Sequence, residues 1–264
     1  MITLLKLGGS LITDKNTPHT IRADVLHRLA KEIKAVWEPN HMPLIIGHGS
    51  GSFGHVPAKK YGTRSGVHNA SEWQGFAEVH SEATALNRMV TDILREEGLP
   101  ILSFVPMDNI RTNDGIVTRW DIFPIRQCLS NRLIPLIFGD TIFDTTRGGT
   151  ILSTEDLFLH LANVTDKPNR ILLAGLEQGI WKDYPERTHR IREIDANAPD
   201  SGNILGSAST DVTGGMREKV RLMKKLVSEG KTESALIFSG EVPGNVSSAL
   251  LSQKSVGTLI RRTS

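Results

Sequence analysis

Residues Gly47-His48-Gly49-Ser50-Gly51-Ser52-Phe53-Gly54-His55, preceded by the apolar run Pro43-Leu44-Ile45-Ile46, decide how the chain is read. Glycine lets the backbone turn sharply and approach a ligand closely. A strand that runs into such a loop tends to aim backbone N–H groups at an anion. His55 closes the segment with a donor whose charge changes near neutral pH. The stretch reads as a phosphate cradle at the carboxyl end of a strand, where open α/β sheets bind ligands.

The same residues admit other readings. Gly49-Ser50-Gly51-Ser52-Phe53-Gly54 matches G-x-G-x-x-G, the dinucleotide pattern. That fingerprint follows the first strand of its unit and is answered about 20 residues on by an acid ending the next strand. Here the spacing lands at Glu72 or Glu78, inside a helical pattern. A nucleophile elbow fails too, because neither Ser50 nor Ser52 has a glycine two residues before it within a G-x-S-x-G frame. A tight strand-to-helix connection without ligand stays open.

Outward from this loop, short apolar runs alternate with amphipathic segments. That is the pattern of an α/β chain with a largely parallel open sheet. Strands are expected at Ile2–Leu7, Pro43–His48, Ile101–Val105, Leu133–Phe138, Arg170–Ala174, Ala235–Ser239 and Gly257–Arg261. Ile21, Val25, Leu29, Ile33 and Val36 recur at helical spacing, as do Phe76, Val79, Ala83 and Leu86 within the long segment Ser71–Glu97. Ser71 with Gln74 is the expected capping box there; Ser153 with Asp156 opens the helix Ser153–Asn163. A last helix is expected from Thr213, with Met216, Val220, Met223 and Val227 on one side. Asn113-Asp114-Gly115 and Arg147-Gly148-Gly149 read as hairpin turns. Segment Tyr184–Ser209 is polar and weakly periodic, a ligand cover or a connector. No repeat or low-complexity linker divides the chain, which reads as one domain, 1–264.

Composition removes several function classes. Of 264 residues, 39% are hydrophobic and 23% charged, which suits a folded globular chain. The 31 basic and 29 acidic residues give a net charge of +2, too balanced for nucleic acid or a membrane surface as main partner. One cysteine, Cys128, excludes an internal disulfide and fits a reducing compartment; it reads as a small buried hydrophobe. The N-terminus has no basic leader, and no apolar run approaches the roughly 20 residues of a membrane helix, so a cytoplasmic protein is expected.

Three more motifs carry charge to the sheet edge. Lys6-Leu7-Gly8-Gly9-Ser10, with Lys15 shortly after, ends the first strand; it is not a Walker A loop, and a solvated lysine beside a turn would also explain it. Thr213-Gly214-Gly215-Met216 with Lys219 sets paired glycines at a helix start, where free N–H groups face an anion and Lys219 leans toward them. The plainer alternative is an exposed lysine on a basic helix. Gly139-Asp140 follows the strand Leu133–Phe138; its carboxylate could orient lysines, meet Mg²⁺ through water, or be a turn aspartate. No Cys/His cluster has zinc spacing. His19, His41, His68, His80, His160 and His189 read as surface or satisfied structural residues.

Lys-Leu-Gly-Gly-Ser, Gly-x-Gly-x-Gly-Ser-Phe-Gly-His and Thr-Gly-Gly-Met-x-x-Lys, in this order, resemble the amino acid kinase superfamily. The histidine-ended loop is similar to the branch that phosphorylates phosphate or phosphonate oxygens, in particular the isopentenyl phosphate kinases. The resemblance spans essentially the whole chain, including Gly139-Asp140, Gly148-Gly149 and Ser153-Thr154-Glu155-Asp156. It implies a three-layer αβα sandwich, ATP with Mg²⁺, isopentenyl phosphate as acceptor, and a homodimer. It also implies an acceptor-binding half, about 1–165, and a nucleotide-binding half, about 166–264. By position, Lys6, Lys15 and Lys219 would hold the β- and γ-phosphates, and His55 would donate to the acceptor phosphate. Gly8, Gly9, Ser10, Ser50, Asp140, Gly175, Gly179, Lys182, Gly214 and Gly215 would fall on the nucleotide side. Gly49, Ser50, Gly54, His55 and Gly149 would grip the acceptor, with Phe76 and Val79 lining an isoprenoid pocket. Ordinary core packing explains that apolar stripe equally well. Two departures stand out: Ser50 replaces the middle glycine of a common Gly-Gly-Gly, and Leu176-Glu177-Gln178-Gly179 stands where Asp-Val-Asp-Gly is common. A kinase of a phosphonate or amino-acid carboxylate, or a non-catalytic nucleotide sensor, are the competing functions. An apolar pocket would favour a C5 hydrocarbon over a charged amino acid.

Overall fold

Ile2–Leu7 is apolar at every position but Thr3 and Lys6, the pattern of a strand covered on both faces. In the computed structural model, which describes residues 2–165, 168–199, 215–252 and 256–263, this strand lies inside an eight-stranded sheet. The elements run β1 (Ile2–Leu7), α1 (Gly9–Ile12), α2 (Ala23–Asn40), β2 (Leu44–His48), α3 (Gly51–Tyr61), α4 (Ala70–Glu96), β3 (Ile101–Ser103), α5 (Pro106–Asn109), β4 (Ile110–Asn113), β5 (Ile116–Trp120), α6 (Phe123–Ser130) and β6 (Ile134–Phe138). There follow β7 (Asp140–Asp144), β8 (Gly148–Leu152), α7 (Thr154–Val164), β9 (Pro168–Gly175), β10 (Ile180–Trp181), β11 (Arg190–Ile191), β12 (Glu193–Asp195), α8 (Gly215–Ser228), β13 (Ser234–Ser239), α9 (Asn245–Leu251) and β14 (Gly257–Arg261).

The main sheet has the order β12-β14-β13-β9-β1-β2-β6-β3. Every neighbouring pair is parallel except β13 with β14. All seven expected strands are present, Ile2–Leu7 and Gly257–Arg261 with the expected ends and the other five shifted by one or two residues at one end or both. β12 was not expected: three residues are too short to carry a period. A four-stranded sheet, β5-β4-β7-β8, holds both expected hairpins.

Alternation along β1 separates two cores. Leu5 and Leu7 pack with α2, α4 and α9 through residues such as Leu29, Leu86 and Leu250. Ile2 and Leu4 pack on the other side with α6, α7 and α8 through Ile125, Phe158 and Met223. Three layers result, helix–sheet–helix. Since side chains two apart share a face, Lys6 belongs to the α7 and α8 side. Cys128 is buried in α6, and burial pushes its thiol up.

Ser153 and Asp156 form the expected reciprocal cap of α7. The expected box at Ser71 and Gln74 does not form. Asn69 caps α4 instead, accepting from the Glu72 N–H at 3.1 Å, and the Glu72 carboxylate accepts from the His68 N–H at 2.6 Å. Asn accepts at an N-cap as well as Ser, so the earlier residue takes the start of the helix.

Candidate active site

Lys6 stands one residue before the end of β1, in register with Gly47 of β2 and Leu173 of β9. The bare Gly47 lets α7 settle over the sheet: a Cβ there would lie 2.4 Å from Thr154 Cγ2. Thr154 Oγ1 donates to the His48 carbonyl at 2.6 Å and anchors the helix start. The next residue, Glu155, then faces Lys6, whose ammonium donates to its Oε2. Burial works against the Glu155 carboxylate, but the charges of Lys6 and Lys219 and the Lys6 hydrogen bond outweigh it. Its carboxyl stays below the ordinary glutamate range.

The two glycine-bearing ends of β1 and β2 lock together. A Cβ on Gly9 would stand 2.4 Å from the Gly51 nitrogen. Gly51 has φ +52, and a Cβ on it would stand 2.1 Å from Thr13 Oγ1. That hydroxyl donates to the Gly9 carbonyl at 2.8 Å and accepts from the Ser52 N–H at 3.0 Å. The glycine stretch is therefore only half a loop. From Gly51 onward it is the first turns of α3, and His55 rides in the second turn of that helix.

A cavity of about 430 Å³ opens over this junction. Lys6, Lys15, His55 and Lys219 all line it, with Gly8, Gly9, Ser10, Gly49, Ser50 and Gly175. Beside it lies a small pocket lined by Ser50, Gly54, His55, Ala58, Arg64, Val79 and Ile151. His55 and Ser50 border both spaces. One space is thus rich in cations and glycine backbone, and the other mixes apolar walls with His55 and Arg64. This is the arrangement for placing a phosphate-bearing small molecule against a polyphosphate.

Several expected residues stand elsewhere. Asp140 is not among the lysines: it is buried in β7 and accepts from His80 Nδ1 at 3.0 Å and from the Thr141 N–H at 2.8 Å. Burial pushes the Asp140 carboxyl up, while the bond to Asp140 raises the His80 imidazole. Glu155 takes the lysine-facing place that the sequence reading gave to Asp140. The Gly149 N–H donates within its own turn, to the Arg147 carbonyl at 2.8 Å, so it is not aimed at an acceptor. Phe76 packs with Trp73 and Phe143 at centroid distances of 5.3 and 5.2 Å, and neither space is lined by it. Gly179 lies against Thr258. The Lys182 N–H donates to the His189 carbonyl at 2.9 Å; neither Gly179 nor Lys182 lines the cavity. Gly215 opens α8 without lining it, and Thr213 and Gly214 lie outside the described residues.

Sequence reasoning missed Glu155, Ile151, Glu177 and Arg187 as wall residues. Glu155 was hidden inside a helix-start pattern, where acids are common for the helix dipole alone. Glu177 and Arg187 pair at 2.8 Å at the cavity wall, ten residues apart in a weakly patterned segment.

The amino acid kinase family model matches residues 1–239. The chain belongs to the amino acid kinase family. Within that family, it is 34% identical over 266 residues to the isopentenyl phosphate kinase of Methanothermobacter thermautotrophicus, covering 97% of this chain and 98% of that protein. It is 33% identical to the isopentenyl phosphate kinase of Methanocaldococcus jannaschii, over 96% of each chain. Among solved structures, an isopentenyl phosphate kinase superposes with a TM-score of 0.82 at 30% identity, covering 98% of this chain and all of the other.

Proposed function

We propose that the protein transfers the γ-phosphoryl group of ATP to isopentenyl phosphate, giving isopentenyl diphosphate and ADP. The observation that carries this reading is the meeting of Lys6, Lys15, Lys219 and His55 at one cavity whose side pocket has apolar walls at Val79, Ala58 and Ile151. The full-length likeness to proteins named isopentenyl phosphate kinase supports the choice of acceptor.

The second pKa of a phosphate monoester lies near 6, so its oxygen is mostly ionised at neutral pH. That oxygen attacks the γ-phosphorus, and the bond from phosphorus to the β,γ-bridging oxygen breaks, leaving ADP. No general base is needed. The work is alignment and the neutralising of negative charge. Lys6, Lys15 and Lys219 hold the β- and γ-phosphates, while His55 donates to the acceptor phosphate from the border of the two spaces. Gly9, Ser10 and Ser50 offer backbone and hydroxyl groups on the nucleotide side, while Gly8 and Gly175 there, and Gly49 and Gly54 beside the acceptor, leave room for close approach. The N–H groups of Gly8, Gly49 and Gly54 already donate to the Ala174, Leu7 and Ser50 carbonyls. Val79 gives the hydrocarbon an apolar wall.

Among the described residues, no group of three His, Cys, Asp or Glu side chains could hold a metal ion alone. One buried carboxylate oxygen, Glu155 Oε1, has no hydrogen-bond partner among them. This donor set fits Mg²⁺ that arrives with ATP and keeps most of its waters, with Glu155 as its protein contact. Bound there, the ion would supply charge neutralisation on the transferring phosphates. No helix among the described residues is long and apolar enough to cross a membrane. We place the enzyme in the cytoplasm, as a homodimer, with isopentenyl phosphate rather than nucleic acid or lipid as its partner. We assign the acceptor site to the N-terminal half, to about residue 165; the rest adds Gly175 and Lys219 to a nucleotide site that Lys6, Gly8, Gly9, Ser10, Lys15 and Ser50 reach from the N-terminal half.

The test is ATP consumption with isopentenyl phosphate, dimethylallyl phosphate, fosfomycin, glutamate and carbamate as acceptors. A five-carbon phosphate should be preferred. Preference for glutamate, or no turnover with any acceptor, would overturn the reading.

A further inference from the structure

Lys15 does not sit on a sheet strand or a helix. It rides on a strap, residues 14–20, between α1 and α2. The base of the strap is closed by the Thr13–Ile21 bridge and by the Asp14 N–H donating to the Thr20 carbonyl at 2.9 Å. Inside it, the Asp14 carboxylate accepts from the Asn16 N–H at 2.9 Å and from Thr17 Oγ1 at 3.1 Å. These bonds shape the strap but do not tie it to the rest of the site.

His19 makes that tie. Its backbone is left-handed, φ +53, which turns the ring back over the protein. Nδ1 lies 2.7 Å from Glu82 Oε2 on α4. The ring also meets Phe53 of α3 edge-on, with centroids 5.5 Å apart. Phe53 is two residues before His55, and Glu82 is one helical turn after Val79. One side chain thus links the strap that bears Lys15 to both helices that wall the acceptor pocket.

We infer that His19 is a positioning residue: its contacts with Glu82 and Phe53 hold the strap so that Lys15 meets the phosphates. The inference rests on the assignment of Lys15 to phosphate binding. An exposed pair contributes little to overall stability. A small misplacement of a group that must meet a transferring phosphate nonetheless costs rate. Loss of His19 should therefore be felt in turnover rather than in folding.

The experiment is a cycle of variants assayed at saturating ATP and isopentenyl phosphate. His19→Asn keeps a residue that tolerates left-handed backbone but shortens the reach to Glu82. Glu82→Ala removes the partner, and Glu82→Gln keeps an acceptor. His19→Asn and Glu82→Ala should each lower kcat by about 3- to 10-fold. KM for isopentenyl phosphate and Tm should stay near the wild-type values, and Glu82→Gln should restore most of the rate. In a Lys15→Ala background neither change should lower the rate further. If the losses multiply instead, His19 does not act through Lys15 and the inference is overturned. A fall with Lys15→Ala alone and none with His19→Asn or Glu82→Ala also overturns it, while leaving Lys15 in place. No fall with Lys15→Ala overturns the phosphate role of Lys15, and the inference with it.

Discussion

Lys6 and Glu155, 149 residues apart, form a buried ion pair at the floor of the cavity. Their meeting fixes the direction of the Lys6 ammonium before any phosphate arrives. Lys219 adds to the field that keeps Glu155 ionised. Replacing Glu155 with Ala leaves a buried ammonium without its carboxylate, a change that typically costs about 3–5 kcal/mol. A clear fall in Tm is expected from thermal unfolding, together with a drop in kcat of at least about tenfold. A variant with wild-type stability and turnover would remove Glu155 from the site.

His55 borders both the cation-lined cavity and the small side pocket. His55→Ala should reduce kcat by about 100-fold or more, the scale for removing one donor to developing charge. Calorimetric titration should still find ATP binding, since the lysines remain. Unchanged kinetics would exclude contact between His55 and the acceptor phosphate.

Gly51 combines a left-handed φ of +52 with a Cβ position 2.1 Å from Thr13 Oγ1. Gly51→Ala adds a backbone cost of about 1–2 kcal/mol to a steric clash, so denaturant unfolding should show a loss above about 2 kcal/mol. The variant should also lose turnover, because the clash separates the end of β1 from the start of α3.

The His80–Asp140 pair carries a pH signature. The bond to Asp140, chiefly, raises the His80 imidazole above its ordinary value near 6.5. A group whose pKa is raised by folding stabilises the fold below its unfolded pKa and loses that contribution as pH rises through the folded value. The Tm difference between wild type and His80→Gln should be greatest near pH 6 and shrink as pH rises above about 7. A difference that grows with pH would mean that His80 is held neutral.

Local pattern reached far into this fold. Alternating apolar runs place the seven principal strands, and Ser153 with Asp156 caps α7 as the spacing demands. These features depend on neighbours in the chain, and so does the glycine motif that marks a strand end. Even there, composition could not say that α3 begins at Gly51, since four glycines in a row of eight residues read as loop. Helix formation there depends on contacts with Gly9 and Thr13, about forty residues away.

By itself the sequence determined the α/β class, the strand positions, and the set of cationic side chains, Lys6, Lys15 and Lys219 with His55, that line one cavity. Each of those follows from short-range periodicity or from residue type. Only the tertiary structure decided which carboxylate faces them. Asp140 follows the apolar strand Ile134–Phe138 and Glu155 sits in the helix start marked by Ser153 and Asp156, but neither local pattern says which carboxylate meets a lysine at the far end of the chain. Side chains alternate along β1 and Gly47 lets α7 come close. Glu155 therefore reaches Lys6, while Asp140 turns to His80.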